Sequence, residues 1–245
     1  MNLFADAIAW IFSPDRLTDN VPLPDLIAQH LFYTFISVLI AAVIAVPVGY
    51  LIGHTGKGRE IAVGISGAAR AVPSFGLILL LVLVIGVTQK PLAATIAFVL
   101  LAVPSILAGA YAGLEQIDRR VIDSARAVGM TEWQILVKVE IPLGLPLLIG
   151  GLRSAALQVV ATVTLAAYIG LGGLGLPIIA GLALRRFDQM LGAALIIVAL
   201  ALVLDGLFAL LQHLVVPRGV TAGLPKDVRS TPARRAAVAA SAADK

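Results

Sequence analysis

The sequence predicts an all-α membrane protein with about five core spans and an interfacial N-terminal segment. Three observations predict it. Of 245 residues, 60% are hydrophobic and 13% charged, with a mean hydropathy of +1.00, whereas soluble domains are roughly half apolar and about a quarter charged. The apolar residues fall in long uncharged runs, and about 20 such residues suffice to cross a bilayer. The charges collect between those runs. With no cysteine, a disulfide framework, a thiolate metal site and a cysteine nucleophile are all excluded. His30, His54 and His213 are too widely spaced for a metal motif, so neither metal nor cofactor is expected.

Residues 1–30 are expected to form an external, interfacial segment. Its first 12 residues make a short amphipathic stretch with Trp10 and Phe12, too short to cross. Asp6 interrupts the early apolar run and no basic residue precedes it, so no signal peptide is read there. Residues 31–52 are uncharged and form the first span, with Trp10, Phe32, Tyr33 and Tyr50 placed as an interfacial aromatic belt. A second apolar stretch runs over 61–87. Only 71–87 suits hydrocarbon, because small residues and Arg70 occupy its first third. Residues 92–113, 143–169 and 190–216 complete the spans, the last two long enough to require tilt or protruding ends. The transmembrane domain thus covers 31–216. Residues 217–245, rich in Ala, Ser, Arg and Pro, are expected to be a disordered cytoplasmic tail.

Orientation follows from the basic residues. Lys57 and Arg59, then Arg119, Arg120, Arg126 and Lys138, then six Lys and Arg after position 216 all fall on one side; only Arg16, Lys90, Arg185 and Arg186 fall on the other. The positive-inside rule places the N-terminus outside and the tail inside. No internal repeat of the inverted kind is visible.

The one long hydrophilic connection, residues 114–142, lies inside by this count. Val121, Ala125 and Val128 share a helical face, Gly129 suits a C′ glycine, and Thr131 can cap a second helix through Trp133 to Val139. Two short helices about a glycine corner make a knob for a partner's groove, or a solvated hairpin that only stabilises topology. Asp123-Ser124-Ala125, three residues, Gly129, nine residues and Val139-Glu140-Ile141-Pro142 resemble the EAA loop of ABC importer permeases, E-A-A, three residues, G, nine residues, I-x-L-P. Ala125, Gly129 and Pro142 match outright. Asp123, Ser124, Val139 and Ile141 are conservative departures.

The resemblance implies a type I ABC importer transmembrane domain whose loop 114–142 seats in a cytoplasmic ATP-binding subunit. It implies further partners: a second permease subunit, the same or a homologous chain, and an extracytoplasmic substrate-binding protein. No nucleic acid partner is expected, and ATP hydrolysis falls to another chain. Within the loop, Ala125 and Ser124 would permit close approach, Asp123 would complement a helix N-terminus, and Pro142 would begin the fourth span. The resemblance covers roughly 30–220 and is nearest the osmoprotectant branch, which handles glycine betaine, carnitine and choline. Ala71-Val72-Pro73-Ser74, Gly129-Met130-Thr131, the run Ile169 to Gly175, Gly181-Leu182, Asp205 and Pro217-Arg218-Gly219 carry it. Arg70, Pro73 and Ser74 fall where the resembling fold joins two protomers, and are expected to form a gate.

Gly170, Gly172 and Gly175 satisfy G-x-G-x-x-G, but they follow a span and not a β-strand, so no dinucleotide fingerprint is read. With Gly173 they are expected to form a tight external turn where the binding protein docks. Asp205 in the fifth span is costly in hydrocarbon, and Arg153 in the fourth is its expected partner. Pro47 and Pro104 lie inside spans and are expected to bend them. With 6% aromatics there is little from which to build an aromatic cage, so selectivity for a quaternary ammonium solute is expected to reside in the binding protein. Competing readings are an ABC importer of another small solute, such as an amino acid or anion, an ion-coupled secondary transporter using Asp205 or Arg153, and a structural subunit.

Overall fold

The fold is that of a computed structural model, which describes residues 2–18 and 21–215, the side chains of Thr18 and Arg70 excepted. The expected tail and Pro217-Arg218-Gly219 lie outside the described residues. Regular structure among the described residues is helical.

The chain opens with α1 (Leu3–Ile11) and the single turn α2 (Asp15–Thr18). α3 (Leu23–Thr55) starts behind Pro22, with Pro24 in its first turn, where a missing N–H costs nothing. It stops at Gly56, whose left-handed φ of 69° lets its N–H close on the Ile52 carbonyl. The helix begins eight residues before the expected span, absorbing part of the N-terminal segment. Its 33 residues extend about 50 Å, beyond a hydrocarbon core of about 30 Å.

α4 (Arg59–Ala71) and α5 (Ser74–Ile85) follow, bent by 90°. Val72 is extended, φ −73° and ψ 126°, as sterics require of a residue before proline. Within the expected stretch over 61–87 the chain breaks before Pro73: Ala71 ends α4, and the apolar part that follows is α5. A 3-10 turn, Val87–Gln89, leads into α6 (Lys90–Glu115). Pro47 and Pro104 sit inside unbroken helices, α3 and α6.

The hairpin consists of α7 (Arg119–Ala127) and α8 (Glu132–Ile135). A π-helical turn, Leu136–Glu140, runs into α9 (Ile141–Val163), which ends in a 3-10 stretch, Thr164–Ile169. α10 (Gly175–Leu184) and α11 (Phe187–Val215) complete the described chain. α3, α6, the run Glu132–Ile169 and α11 are each long and apolar enough to cross a membrane, and the bent α4–α5 pair makes a fifth if it is counted as one broken span.

Glycines set the centre of the molecule. Gly49 and Gly53 on α3 lie against α6, where an added Cβ would come within 2.5 Å of Ala110 and 2.8 Å of Leu114. Gly109 and Gly113 on α6 face Gly151 and Gly144 on α9, and a Cβ on either α6 glycine would meet a main-chain carbonyl at 2.6 Å. Close backbone approach gains dispersion contacts where lipid removes the hydrophobic drive for helix association. Phe98, Ile106, Val159 and Val163 fill the surrounding core. Leu202, Val203, Leu207 and Leu214 on α11 are exposed, as a lipid-facing helix requires.

α1 departs from expectation. Trp10 is 6% exposed, packed on α11 where a Cβ at Gly192 would lie 2.5 Å from its ring. Its ring is wedged between α1 and α11 and is covered by the chain itself. The guanidinium of Arg16 sits 5.1 Å above the same ring.

Candidate functional site

Asp118 caps α7, its carboxylate accepting the Arg120 N–H at 2.9 Å. Gly129, at φ +84°, ends the helix in a Schellman turn: its N–H donates to the Arg126 carbonyl at 2.9 Å and Met130 N–H to that of Ala125 at 3.2 Å. Thr131 opens α8 through a capping box. Its hydroxyl accepts the Gln134 N–H at 3.3 Å, and the Gln134 side chain accepts the Thr131 N–H at 3.0 Å.

The inward face is Ile122 and Ala125, packed with Ile135 and half-buried Ile117, Met130 and Val139. Of the expected face of Val121, Ala125 and Val128, Ala125 is covered and Val121 and Val128 are exposed. The Schellman turn brings the chain back over Ile122. Asp123 lies mid-helix, not at the N-terminus, and faces solvent 3.6 Å from Arg126. The Ser124 hydroxyl donates to the Arg120 carbonyl at 2.7 Å. Asp123, Val128 and Trp133 are outward-facing. Pro142 falls in the first turn of α9, within a helical run continuous from Glu132. It has no N–H for the carbonyl four residues back, and the π turn lies over those residues.

Charged side chains tie the hairpin to α3. Glu132 accepts two hydrogen bonds from Arg126, at 2.8 and 3.0 Å, which raise the Arg126 guanidinium above its ordinary pKa. His54, in the last turn of α3, lies 3.7 Å from Glu132 through Nε2 and donates through Nδ1 to Glu140 at 2.5 Å. Glu140 is 6% exposed. Arg59 and Glu115 join the neighbouring ends of α4 and α6 at 3.2 Å. Neither His54 nor Glu140 was singled out from the sequence as a pair, although a histidine closing an uncharged run and a carboxylate among apolar neighbours were visible there.

At the other end of α3 lies the glycine turn. Gly170, Gly172 and Gly173 have φ of 72°, 103° and 74°, and a Cβ on Gly175 would stand 2.1 Å from the Thr164 carbonyl. Only glycine fits this path. Gln29 accepts the Gly173 N–H at 3.2 Å. His30 is fully buried, its Nε2–H donating to the Val160 carbonyl at 3.0 Å while Nδ1 accepts from Leu174 N–H at 3.4 Å. Those two partners together select the neutral imidazole.

Arg153 and Asp205 are brought together, both oxygens of the carboxylate accepting from the guanidinium fork. Pro73 and Ser74 form the α4–α5 bend, and the side chain of Arg70 lies outside the described residues. Beside them Phe75 meets Tyr168 edge to face, ring centroids 5.2 Å apart, an aromatic contact that sequence spacing does not reveal. Among the described residues no group of three His, Cys, Asp or Glu could hold a metal ion.

Known proteins resemble this chain in sequence and in fold. The chain is 36% identical to the carnitine transport permease protein OpuCB of Listeria monocytogenes, over 78% of this chain and 87% of that one. It is 35% identical to the osmoprotectant import permease protein OsmW of Salmonella typhimurium, over 81% and 94%. To the glycine betaine/carnitine/choline permease protein OpuCB of Bacillus subtilis it is 30% identical, over 78% and 88%. Its fold matches the MetNI methionine ABC transporter, solved in an inward-facing conformation, with a TM-score of 0.69, 23% identity and coverage of 80% of this chain and 96% of that one. Residues 45–219 match the model of a family described as the inner membrane component of binding-protein-dependent transport systems. With that match spanning well over half its length, the chain belongs to the binding-protein-dependent transport system inner membrane component family.

Proposed function

We propose that this chain is the membrane-spanning permease subunit of an ATP-driven importer for osmoprotectants such as glycine betaine, carnitine or choline. The observation that carries the reading is the hairpin: a glycine-cornered pair of short helices with EAA spacing, presenting Asp123, Val128 and Trp133 outward. Two such permeases pair, two ATPase subunits receive the hairpins on the cytoplasmic side, and a substrate-binding protein docks at the glycine turn outside. Closure of the ATPases on ATP moves the hairpins and opens the permease pair outward; hydrolysis resets it. The bend at Pro73 and Ser74, with Arg70, serves as the gate. The chain itself makes and breaks no bonds.

The substrate class rests on the relatives, which handle carnitine, choline and glycine betaine. An ion-coupled secondary mechanism is disfavoured, because it leaves the EAA spacing unexplained, and Asp205 has a structural partner in the fork of Arg153. The test is uptake of radiolabelled glycine betaine, carnitine and choline in a deletion strain carrying this chain, with and without Gly129→Asp. ATP-dependent uptake restored by the unmodified chain alone is the expected result. No uptake by an assembled complex would transfer the assignment to another small solute.

A further inference from the structure

We propose that the contact between His54 and Glu140 is the joint through which a displacement of the hairpin reaches α3. The inference rests on the permease reading above and adds the residues that pass the stroke on. The hairpin is continuous in the chain with α6 on one side and, through the π turn, with α9 on the other. Its link to α3 is made by side chains. Both ring nitrogens of His54 are engaged, Nδ1 by Glu140 at 2.5 Å and Nε2 by Glu132 at 3.7 Å, so one imidazole spans α8 and the π turn. Glu132 in turn holds Arg126 of α7. Among the described residues, His54 is thus the side chain that joins α8 and the π turn directly to α3, beside the main-chain route through α6 and α9.

Two features make this a joint and not a decoration. A carboxylate that is 6% exposed is left uncompensated in a low-dielectric site if its partner departs, so Glu140 and His54 move together. Glu140 also sits on the π turn at the hairpin end of the Glu132–Ile169 run, where register can adjust while the flanking helices stay intact. α3 is seated on α6 through Gly49 and Gly53, and its far end holds the glycine turn through Gln29 and His30. A movement delivered at His54 thus has a stiff path across the molecule. His54 and Glu140 are positioning residues and touch neither solute nor nucleotide.

The test uses the assembled complex of permease, ATPase and binding protein. Because this chain has no cysteine, spin labels at Arg119→Cys on α7 and Thr55→Cys on α3, both exposed, report hairpin and α3 in a complex whose other subunits are made cysteine-free. The expected result is a label-to-label distance that holds when ATP binds in the native background and shifts or broadens in Glu140→Ala and His54→Ala. A distance that behaves identically in both variants and the native background overturns the joint, whatever solute the complex carries. In uptake, each variant is expected to lower solute transported per ATP hydrolysed about tenfold, the double variant no further, and the exchange His54→Glu with Glu140→His to recover most of the loss. Glu140→Gln, which keeps shape and folding, is expected to give a smaller loss of the same kind. An unchanged ratio in Glu140→Gln, or losses that multiply in the double variant, overturns it. Failure of uptake in the native complex with the label result intact would count against the solute assignment and not against the joint.

Discussion

The two ends of α3 hold their neighbours by different chemistry, although each does so with a histidine. At His30 the partners are the main-chain atoms of Val160 and Leu174, the ring is fully buried, and the imidazole is neutral. At His54 the partners are the carboxylates of Glu132 and Glu140, carried on a short helix and a π turn. The two rings lie about 36 Å apart along the helix. Backbone partners cannot leave without unfolding their segment, whereas side-chain partners can rotate. The turn end is thus built to keep one shape, and the hairpin end to be carried with α3 through a side-chain contact while its own helices stay intact.

The largest expected effect removes the frame that both ends share. Gly113→Leu forces a side chain into a main-chain contact of 2.6 Å, and we expect a loss of about 3 kcal/mol or more, with no assembled complex recovered on size exclusion. Recovery of folded complex would mean that the helices can separate, and the comparison of two ends on one rod would fail. Next comes Gly129→Asp. At φ +84° a side chain costs about 1–2 kcal/mol, too little to prevent insertion, so uptake is abolished while membrane content persists. Unchanged uptake would remove the hairpin from the coupling path.

His30→Ala sharpens the contrast. It leaves the Val160 carbonyl and the Leu174 N–H without their buried partner, a cost of about 1–3 kcal/mol, and should lower the thermal midpoint more than His54→Ala does. The reverse order would show the hairpin end to be the rigid one. The smallest effect is that of salt. Arg126 with Glu132 and Asp123 is an exposed cluster and is screened by added salt, while the neutral hydrogen bonds of the turn are not. Amide exchange over 119–132 is expected to quicken at high salt and that over 170–175 to stay constant; equal responses would erase the difference.

Much of this was open to inspection before any coordinates. Uncharged runs reported the spans, because a chain in hydrocarbon must present apolar side chains over a bilayer's width. Gly129, Thr131 and the glycines of 170–175 reported their turns, because left-handed backbone and helix caps are demands made by a few adjacent atoms. The spacing Gly49-x-x-x-Gly53 and Gly109-x-x-x-Gly113 was equally present in the sequence, and it went unread because a small-residue interval names no partner helix. The inward face of α7 stayed open for a related reason. Helical periodicity places Val121, Ala125 and Val128 together, but which side is covered depends on where the Schellman turn sends α8.

Local chemistry, then, was determined by residue order: apolar length, turn glycines, caps, the EAA spacing and the candidacy of Arg153 and Asp205. Tertiary structure alone decided the partners. It placed Trp10 on Gly192 of α11, bent the second passage by 90°, laid Gly113 on Gly144, and set His54 against Glu140, 86 positions away. Hydropathy distinguishes lipid from water along a helix and is silent on which helix lies beside it. Inside a membrane that choice is made by shape and by the pairing of the few polar groups, and both are properties of two surfaces in contact.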